Sequence, residues 1–326
     1  MNSFGTIFRL SLWGESHGVQ VGVSIDGVPA GIPLSEKDFE HDLARRRAGA
    51  EGTTARCEKD IPRIVSGIFE GVTTGAPLTI VFENHDARSA DYSDLRKLPR
   101  PSHADFTAAV KFGGHNDYRG GGHFSGRMTL AITAAGVVAK KILGPEVRFS
   151  TSTAEIAGYF SSVMQSGVIE SALVEGDTLG GVVQCRINGA GTGLGEPFFD
   201  SVESTAAHLL FSIPAVKGVE FGAGFLGTLK RGSEYNDSIV DSSGRTSSNN
   251  DGGVNGGITN GNTIVVRAAI KPAASILKPQ QSFDFAAGEP ATIQIRGRHD
   301  VCIALRAAVV VEAAMAIALA DLKLRM

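Results

Sequence analysis

Between Arg100 and Gly122 the chain gathers His103, the acids Asp105 and Asp117, and the arginines Arg100 and Arg119 around three consecutive glycines, Gly120-Gly121-Gly122. Glycine lets the backbone approach a ligand closely, and the helix start read just after it, at Ser125, offers unpaired N–H groups to an anion. A run of this kind gives up stability for access, so it reads as a site.

A second cluster lies at Gly14-Glu15-Ser16-His17-Gly18, after the strand-like Phe8, Leu10 and Leu12. Neighbours in sequence rarely pair as nucleophile and base, because that pairing needs spatial opposition. By itself this string would be a turn with a solvated histidine. A third cluster, Arg45-Arg46-Arg47, ends a predicted helix. Its dipole accounts for one cation at most; three adjacent arginines fan around the helix, and at least one should face the body of the protein. Guanidinium forks suit a multiply charged small anion. Nucleic acid is disfavoured by the lack of interleaved aromatics.

Two decoys compete. His103, His115 and His123 with Asp105 and Asp117 could suggest a metal centre, but no helical i, i+4 pair occurs and the glycines interrupt the dense stretch. Gly189-Ala190-Gly191-Thr192-Gly193-Leu194-Gly195, with Glu220 downstream, approaches a dinucleotide fingerprint, yet its spacing is irregular and no βαβ alternation surrounds it. An NAD(P)-dependent dehydrogenase using Gly189–Gly195 is the alternative reading.

The scaffold must hold these loops. With 326 residues, 42% hydrophobic and 20% charged, the chain can bury a sizeable core. Its net charge of −3 exerts no global pull on nucleic acid or anionic lipid, so a positive field must be local, as the cluster Arg45, Arg46, Arg47, Arg56 and Arg63 suggests. No apolar run approaches transmembrane length and no signal pattern opens the chain, which points to the cytoplasm. Cys57, Cys185 and Cys302 are odd in number and far apart, hence expected as small buried hydrophobes. The 41 glycines are about twice the ordinary share.

Short β-branched runs predict strands at Gln20–Ile25, Arg63–Ile68, Leu78–Phe82, Val182–Ile187 and Thr263–Ala269. Helices are predicted at Glu36–Arg47, where Ser35 and Asp38 resemble a cap, and at Ser125–Leu143, Phe199–Leu210 and Val301–Leu324. The last is apolar on most sides and should lie between layers. Gly232–Gly261, crowded with Gly, Ser, Asn and Asp, reads by composition as a flexible linker; its length inside a compact enzyme favours a functional loop. These elements amount to a mixed α/β chain.

Taken in order, Gly14–Gly18, Arg45–Arg47, Arg100–Asp105, Arg119–Gly122, Gly193-Leu194-Gly195-Glu196-Pro197, Ser212–Gly218, Gly252–Gly257, Lys271-Pro272 and Gly297-Arg298-His299-Asp300 resemble the motifs of chorismate synthases, from Phe4 to about Asp321. The resemblance implies a single domain over 1–326, of class α/β (α+β): a β-α-β sandwich with helices between two sheets and long glycine-rich site loops. It implies a carbon–oxygen lyase of the shikimate pathway to aromatic amino acids. The reaction is anti 1,4-elimination of phosphate from 5-enolpyruvylshikimate 3-phosphate, giving chorismate and requiring reduced FMN (FMNH2). NADPH is the candidate reductant, an external flavin reductase the other, and a homotetramer the expected assembly.

Carried over residue by residue, the family's pattern makes His17, His103, Ser16 and Asp300 catalytic. Arg45, Arg46, Arg127 and Arg298 would bind substrate. Arg46, His123, Phe124, Ser125, Pro214, Ala215, Gly256, Lys271, Pro272, Ala273, Ala274, Ser275 and Arg298 would hold the cofactor. The chain departs from the family string Arg-Ser-Ser-Ala-Arg-Glu-Thr at His123-Phe124-Ser125-Gly126-Arg127-Met128-Thr129, and Ala48 and Ser102 stand where proline and glycine are commoner.

Overall fold

Two antiparallel sheets face one another across a layer of helices. In this computed structural model, residues 2–47, 49, 52–53, 59–84, 95–295 and 299–326 are described. The first sheet has the spatial order Ser3–Phe4, Arg9–Gly14, Gln20–Asp26, Leu78–Glu83, Arg63–Ser66. The second runs Val216–Phe221, Ile264–Ile270, Gly181–Asn188, Arg148–Ile156. Alternation decides the buried face: Val21, Val23 and Ile25 in one sheet, and Val183, Cys185 and Ile187 in the other, are fully buried. Each large side chain among them contributes roughly 1.5–3 kcal/mol by leaving water.

The helix Thr129–Leu143 packs on the first sheet and Ala304–Arg325 on the second, and the two helices pack on each other. A β-carbon on Gly136 would fall 2.3 Å from that of Ala313, so glycine sets their close approach. Ala313, Ala314, Ala316 and Ala320 are buried all round, as a helix between layers requires. The expected sandwich is therefore present. Helix Glu40–Arg46 leans on both inner helices, while Val202–Ser212 covers Ala304–Arg325 and the strand Val216–Phe221. The buried Asp321 carboxylate accepts the N–H groups of Thr6 at 3.0 Å, Ile7 at 2.8 Å and Phe8 at 2.9 Å, tying the N-terminal segment to the last helix.

The predicted strands occur within one or two residues, except that Arg63–Ile68 breaks after Ser66 and resumes at Ile68–Phe69. Ser35 and Asp38 do cap the first turn, the Asp38 carboxylate accepting Ser35 N–H at 2.7 Å. Helix Ser125–Leu143 begins as a 3-10 turn at Gly126–Met128 and becomes α-helical at Thr129, since three left-handed glycines precede it. Strands Arg148–Ile156 and Val216–Phe221, and helices Asp105–Lys111 and Ser162–Glu175, were not foreseen.

The linker reading of Gly232–Gly261 is overturned. The segment holds a helical turn, Gly232–Tyr235, and a hairpin, Val254–Asn255 with Ile258–Thr259. Asp237 pins it by accepting Ser248 Oγ–H at 2.6 Å, Asn250 N–H at 2.8 Å and Asp251 N–H at 3.0 Å. Such side-chain-to-backbone cohesion leaves no hydrophobic period. Cys185 and Cys302 are buried, and burial pushes the Cys185 thiol up to about 12. Ala48, Arg56 and Cys57 lie outside the described residues.

Candidate active site

The triple-glycine loop has φ of 58°, 85° and 52° at Gly120, Gly121 and Gly122, the left-handed region that side chains with a β-carbon avoid. It lies directly against the Gly14–Gly18 turn. Ser16 N–H donates to Gly122 O at 3.2 Å, and Ser16 Oγ–H points to Arg119 O and Gly120 O at 3.2 and 3.1 Å. With its single hydrogen on a carbonyl, the 3.1 Å contact to His17 Nδ1 is one in which Nδ1–H donates to Ser16 Oγ. Both residues are buried. The loop is tied back once more by His123, whose Nδ1–H donates to Gly14 O at 2.7 Å.

A cavity of about 680 Å3 opens in front of this loop. On one wall His103 Nδ1 lies 2.6 Å from Asp105 Oδ1 and 2.9 Å from Arg100 Nη2. Arginine only donates and the carboxylate only accepts, so Nδ1 holds the hydrogen and gives it to Asp105. Burial alone would raise the Asp105 pKa; hydrogen bonds from Arg100 and His103 outweigh it and hold the carboxyl well below the usual range.

The floor is cationic. Arg46 Nε–H donates to Thr129 Oγ1 at 3.0 Å, and Asp60 lies between two guanidiniums, 3.3 Å from Arg46 Nη1 and 2.9 Å from Arg127 Nη1. Arg306 reaches over from the last helix, donating to Asp300 Oδ2 at 2.8 Å and to Arg46 O at 2.9 Å. Burial, with Arg306 and Arg127 nearby, pushes the Arg46 pKa down to about 9. An arginine keeps its proton at neutral pH even so, and the shift registers a site that favours an anion. Opposite this floor, Lys271 Nζ donates to Ser102 O, and burial together with Lys217 lowers its pKa. Seven arginines and lysines against the two acids Asp60 and Asp300 line the cavity among the described residues.

His103, Asp300, Arg46, Arg127, His123, Phe124 and Ser125 line this cavity, as do Pro214, Ala215 and Lys271-Pro272-Ala273-Ala274-Ser275. Ser16 and His17 stand immediately behind Gly120. Two expectations about placement are corrected. Arg45 faces away, donating to Glu312 Oε1 at 2.7 Å and Oε2 at 2.8 Å, because adjacent helical residues point in different directions. Gly256 sits on the turn between Val254–Asn255 and Ile258–Thr259, away from the cavity lining. Arg298 lies outside the described residues. The sequence reading missed Asp60, Lys217 and Arg306 as cavity residues; Lys217 belonged to a quoted motif, whereas Asp60 and Arg306 gave no local signal. Among the described residues, no three His, Cys, Asp or Glu side chains come together as metal ligands would.

The sequence profile described as "Chorismate synthase" matches residues 8–324. A chorismate synthase of Chitinophaga pinensis is 57% identical over 324 residues, covering 99% of this chain and 97% of the relative. One from Korarchaeum cryptofilum is 44% identical, covering 98% and 96%. A crystal structure of chorismate synthase superposes with a TM-score of 0.76 at 27% identity, covering 99% of this chain and 93% of that one. The chain belongs to the chorismate synthase family. It is accordingly a lyase, and the dehydrogenase alternative falls. The Gly189–Gly195 loop follows a strand whose neighbours are both antiparallel, so it does not sit on a βαβ crossover that would present a dinucleotide site. Gly195 instead serves close packing: a β-carbon there would lie 2.4 Å from Gly257 O.

Proposed function

We propose that the cavity binds 5-enolpyruvylshikimate 3-phosphate beside reduced FMN and expels phosphate by anti 1,4-elimination, yielding chorismate. The observation that carries this reading is the convergence of an excess of cations with the positioned His103 in one cavity, and of His17 immediately behind its Gly120 wall. Two carboxylates and a phosphate bring about four negative charges to the site near neutral pH.

The residues present suit a flavin mononucleotide. Its phosphate matches the Lys217 and Lys271 ammoniums, and the cavity volume lies within the usual range for bound cofactors, about 300–1,000 Å3. His123, Phe124, Ser125, Pro214, Ala215 and Pro272 to Ser275 would surround it. When bound, reduced flavin supplies electron density that eases phosphate departure from the substrate, with no net redox change.

The protein's own part is binding and proton handling. Arg46 and Arg127 hold the anionic groups of the substrate, with Arg298 assigned the same task. Their guanidiniums are already in place, so little reorganisation accompanies charge development on the leaving phosphate. His17 carries the proton for that phosphate on Nε2, its Nδ1–H held by Ser16. His103, oriented through Nδ1 by Asp105, offers Nε2 to the flavin. Asp300, held by Arg306, takes part in the proton transfer that completes elimination.

The same reading makes the enzyme a cytoplasmic homotetramer, with its flavin reduced by NADPH or by a separate reductase. Among the described residues no helix is long and apolar enough to cross a membrane. The test is anaerobic phosphate release from the substrate with dithionite-reduced FMN. Release with reduced FMN and none with oxidised FMN is expected; turnover of NAD(P) with a hydroxy or keto substrate in the absence of flavin would overturn the reading.

A further inference from the structure

We propose that Asn84 is a positioning residue that ties the anion-binding Arg127 to the turn carrying Ser16 and His17. Asn84 follows the last residue of strand Leu78–Glu83 and is held there by its N–H, which donates to Val19 O at 3.1 Å. Its side chain reaches in two directions. Nδ2 donates to Glu15 O at 3.0 Å and to Gly18 O at 2.8 Å, the carbonyls on either side of Ser16-His17. Oδ1 accepts from Arg127 Nε at 2.5 Å.

The chemistry of the partners fixes the amide orientation. Two carbonyls can only accept and a guanidinium can only donate, so a flipped amide would lose all three bonds. No other neutral side chain of this length offers two donors and an acceptor in one plane. Aspartate would keep the bond from Arg127 but turn both carbonyl contacts into repulsions.

The turn has a second support in the triple-glycine loop, through Ser16 N–H to Gly122 O and Ser16 Oγ–H to Gly120 O. Those bonds set the turn against the loop. Asn84 connects it directly to the charged floor, because Arg127 in turn donates to Asp60 at 2.9 Å. An anion drawn onto Arg127 therefore pulls on the element that aims His17. Binding and proton delivery share one hydrogen-bonded chain, Asp60–Arg127–Asn84–Glu15/Gly18.

The inference rests on the proposed roles of Arg127 and His17, and its test separates the two. Parent, Asn84→Ala, Arg127→Lys and the double variant are compared as full chains. Hydrogen exchange of residues 14–18 is followed with and without inorganic phosphate, with no flavin present, and phosphate release with reduced FMN gives kcat and KM. Phosphate should slow exchange in the parent and leave it unaltered in Asn84→Ala. Asn84→Ala should lower kcat by about tenfold to a hundredfold, the scale of a small misplacement of a reacting group. The double variant should lose less than the product of the two single losses, since Arg127→Lys acts partly through its own contact with the anion and partly through a link that Asn84→Ala has already cut.

Additive losses in the double variant, or a phosphate effect on exchange that survives Asn84→Ala or is missing from the parent, would overturn the proposal. If the parent releases no phosphate, the functional reading fails while the exchange comparison still decides the link. Should Asn84→Ala not fold, Asn84→Asp severs only the turn arm and must likewise abolish the phosphate effect on exchange.

Discussion

A β-carbon placed on Gly120 would lie 2.0 Å from Cε1 of His17, so the loop and the imidazole share a boundary with no room for a methyl group. Gly120 also has φ of 58°. Gly120→Ala should displace His17 as well as strain the backbone, lowering kcat by about a hundredfold and stability by roughly 1–3 kcal/mol. Gly167 is the control: it lies in helix Ser162–Glu175 with nothing within 4 Å of an added β-carbon, so Gly167→Ala should stabilise by about 0.5–1 kcal/mol. Turnover and thermal unfolding of both variants are the measurements. Full activity in Gly120→Ala would remove His17 from the position assigned to it.

The two histidines should respond differently from their supports. His17→Ala and His103→Ala are each expected to cut turnover by about two to four orders of magnitude, the range for positioned acid–base groups. Asp105→Asn should cost less, because Arg100 still flanks the ring at 2.9 Å while the carboxylate that orients Nδ1 is lost. FMN titrations should show a weaker complex for His103→Ala than for His17→Ala. Equal flavin affinities in the two would separate His103 from the cofactor.

How much of this arrangement could be read in advance depended on whether the signal was local. Gly120 to Gly122 announced themselves, because three left-handed residues in a row tolerate little else, and Val21, Val23 and Ile25 declared a strand by alternation. Strand Arg148–Ile156 did not: it forms one edge of its sheet, and its Ser-Thr-Ser-Thr stretch lacks an apolar face. Arg45 and Arg46 are neighbours on one helix, and only the docking of that helix decides which of them faces the cavity. Asp60 and Arg306 enter the site through partners far away in sequence, Arg127 and Arg46, which no spacing rule connects.

Ser102 offers a test of strain. It has φ of 58°, in the left-handed region that favours glycine, and its carbonyl accepts from Lys271. A serine in the left-handed region costs about 1–2 kcal/mol, partly offset in glycine by greater freedom of the unfolded chain. Ser102→Gly should therefore raise stability by about 0.5–1 kcal/mol with the Lys271 contact retained. A lowered unfolding temperature would show that the serine side chain makes a compensating contribution.

Arg45 leads to the last prediction, because its misplacement in the sequence reading has an energetic meaning. With Lys140 it encloses Glu312, which lies 2.7 Å from Arg45 Nη1 and 2.5 Å from Lys140 Nζ, deep between the inner helices. Burial alone would raise the Glu312 pKa; the hydrogen bond from Arg45 and the charge of Lys140 outweigh it and bring the value down to about 2 from 4.5. A carboxylate whose pKa is depressed on folding stabilises the protein above its unfolded value and loses that contribution as pH falls through the folded value. The window is thus about pH 4.5 down to 2, and a shift of this size corresponds to about 3 kcal/mol. Glu312→Gln should destabilise the protein at neutral pH and flatten the loss of stability across that window, since glutamine has no proton to take up. Arg45→Ala should destabilise comparably while leaving KM for the phosphorylated substrate within about twofold, because Arg45 does not line the catalytic cavity. Denaturant titrations at several pH values, paired with KM measurements, check both. A large rise in KM for Arg45→Ala at unchanged stability would return this arginine to the substrate site.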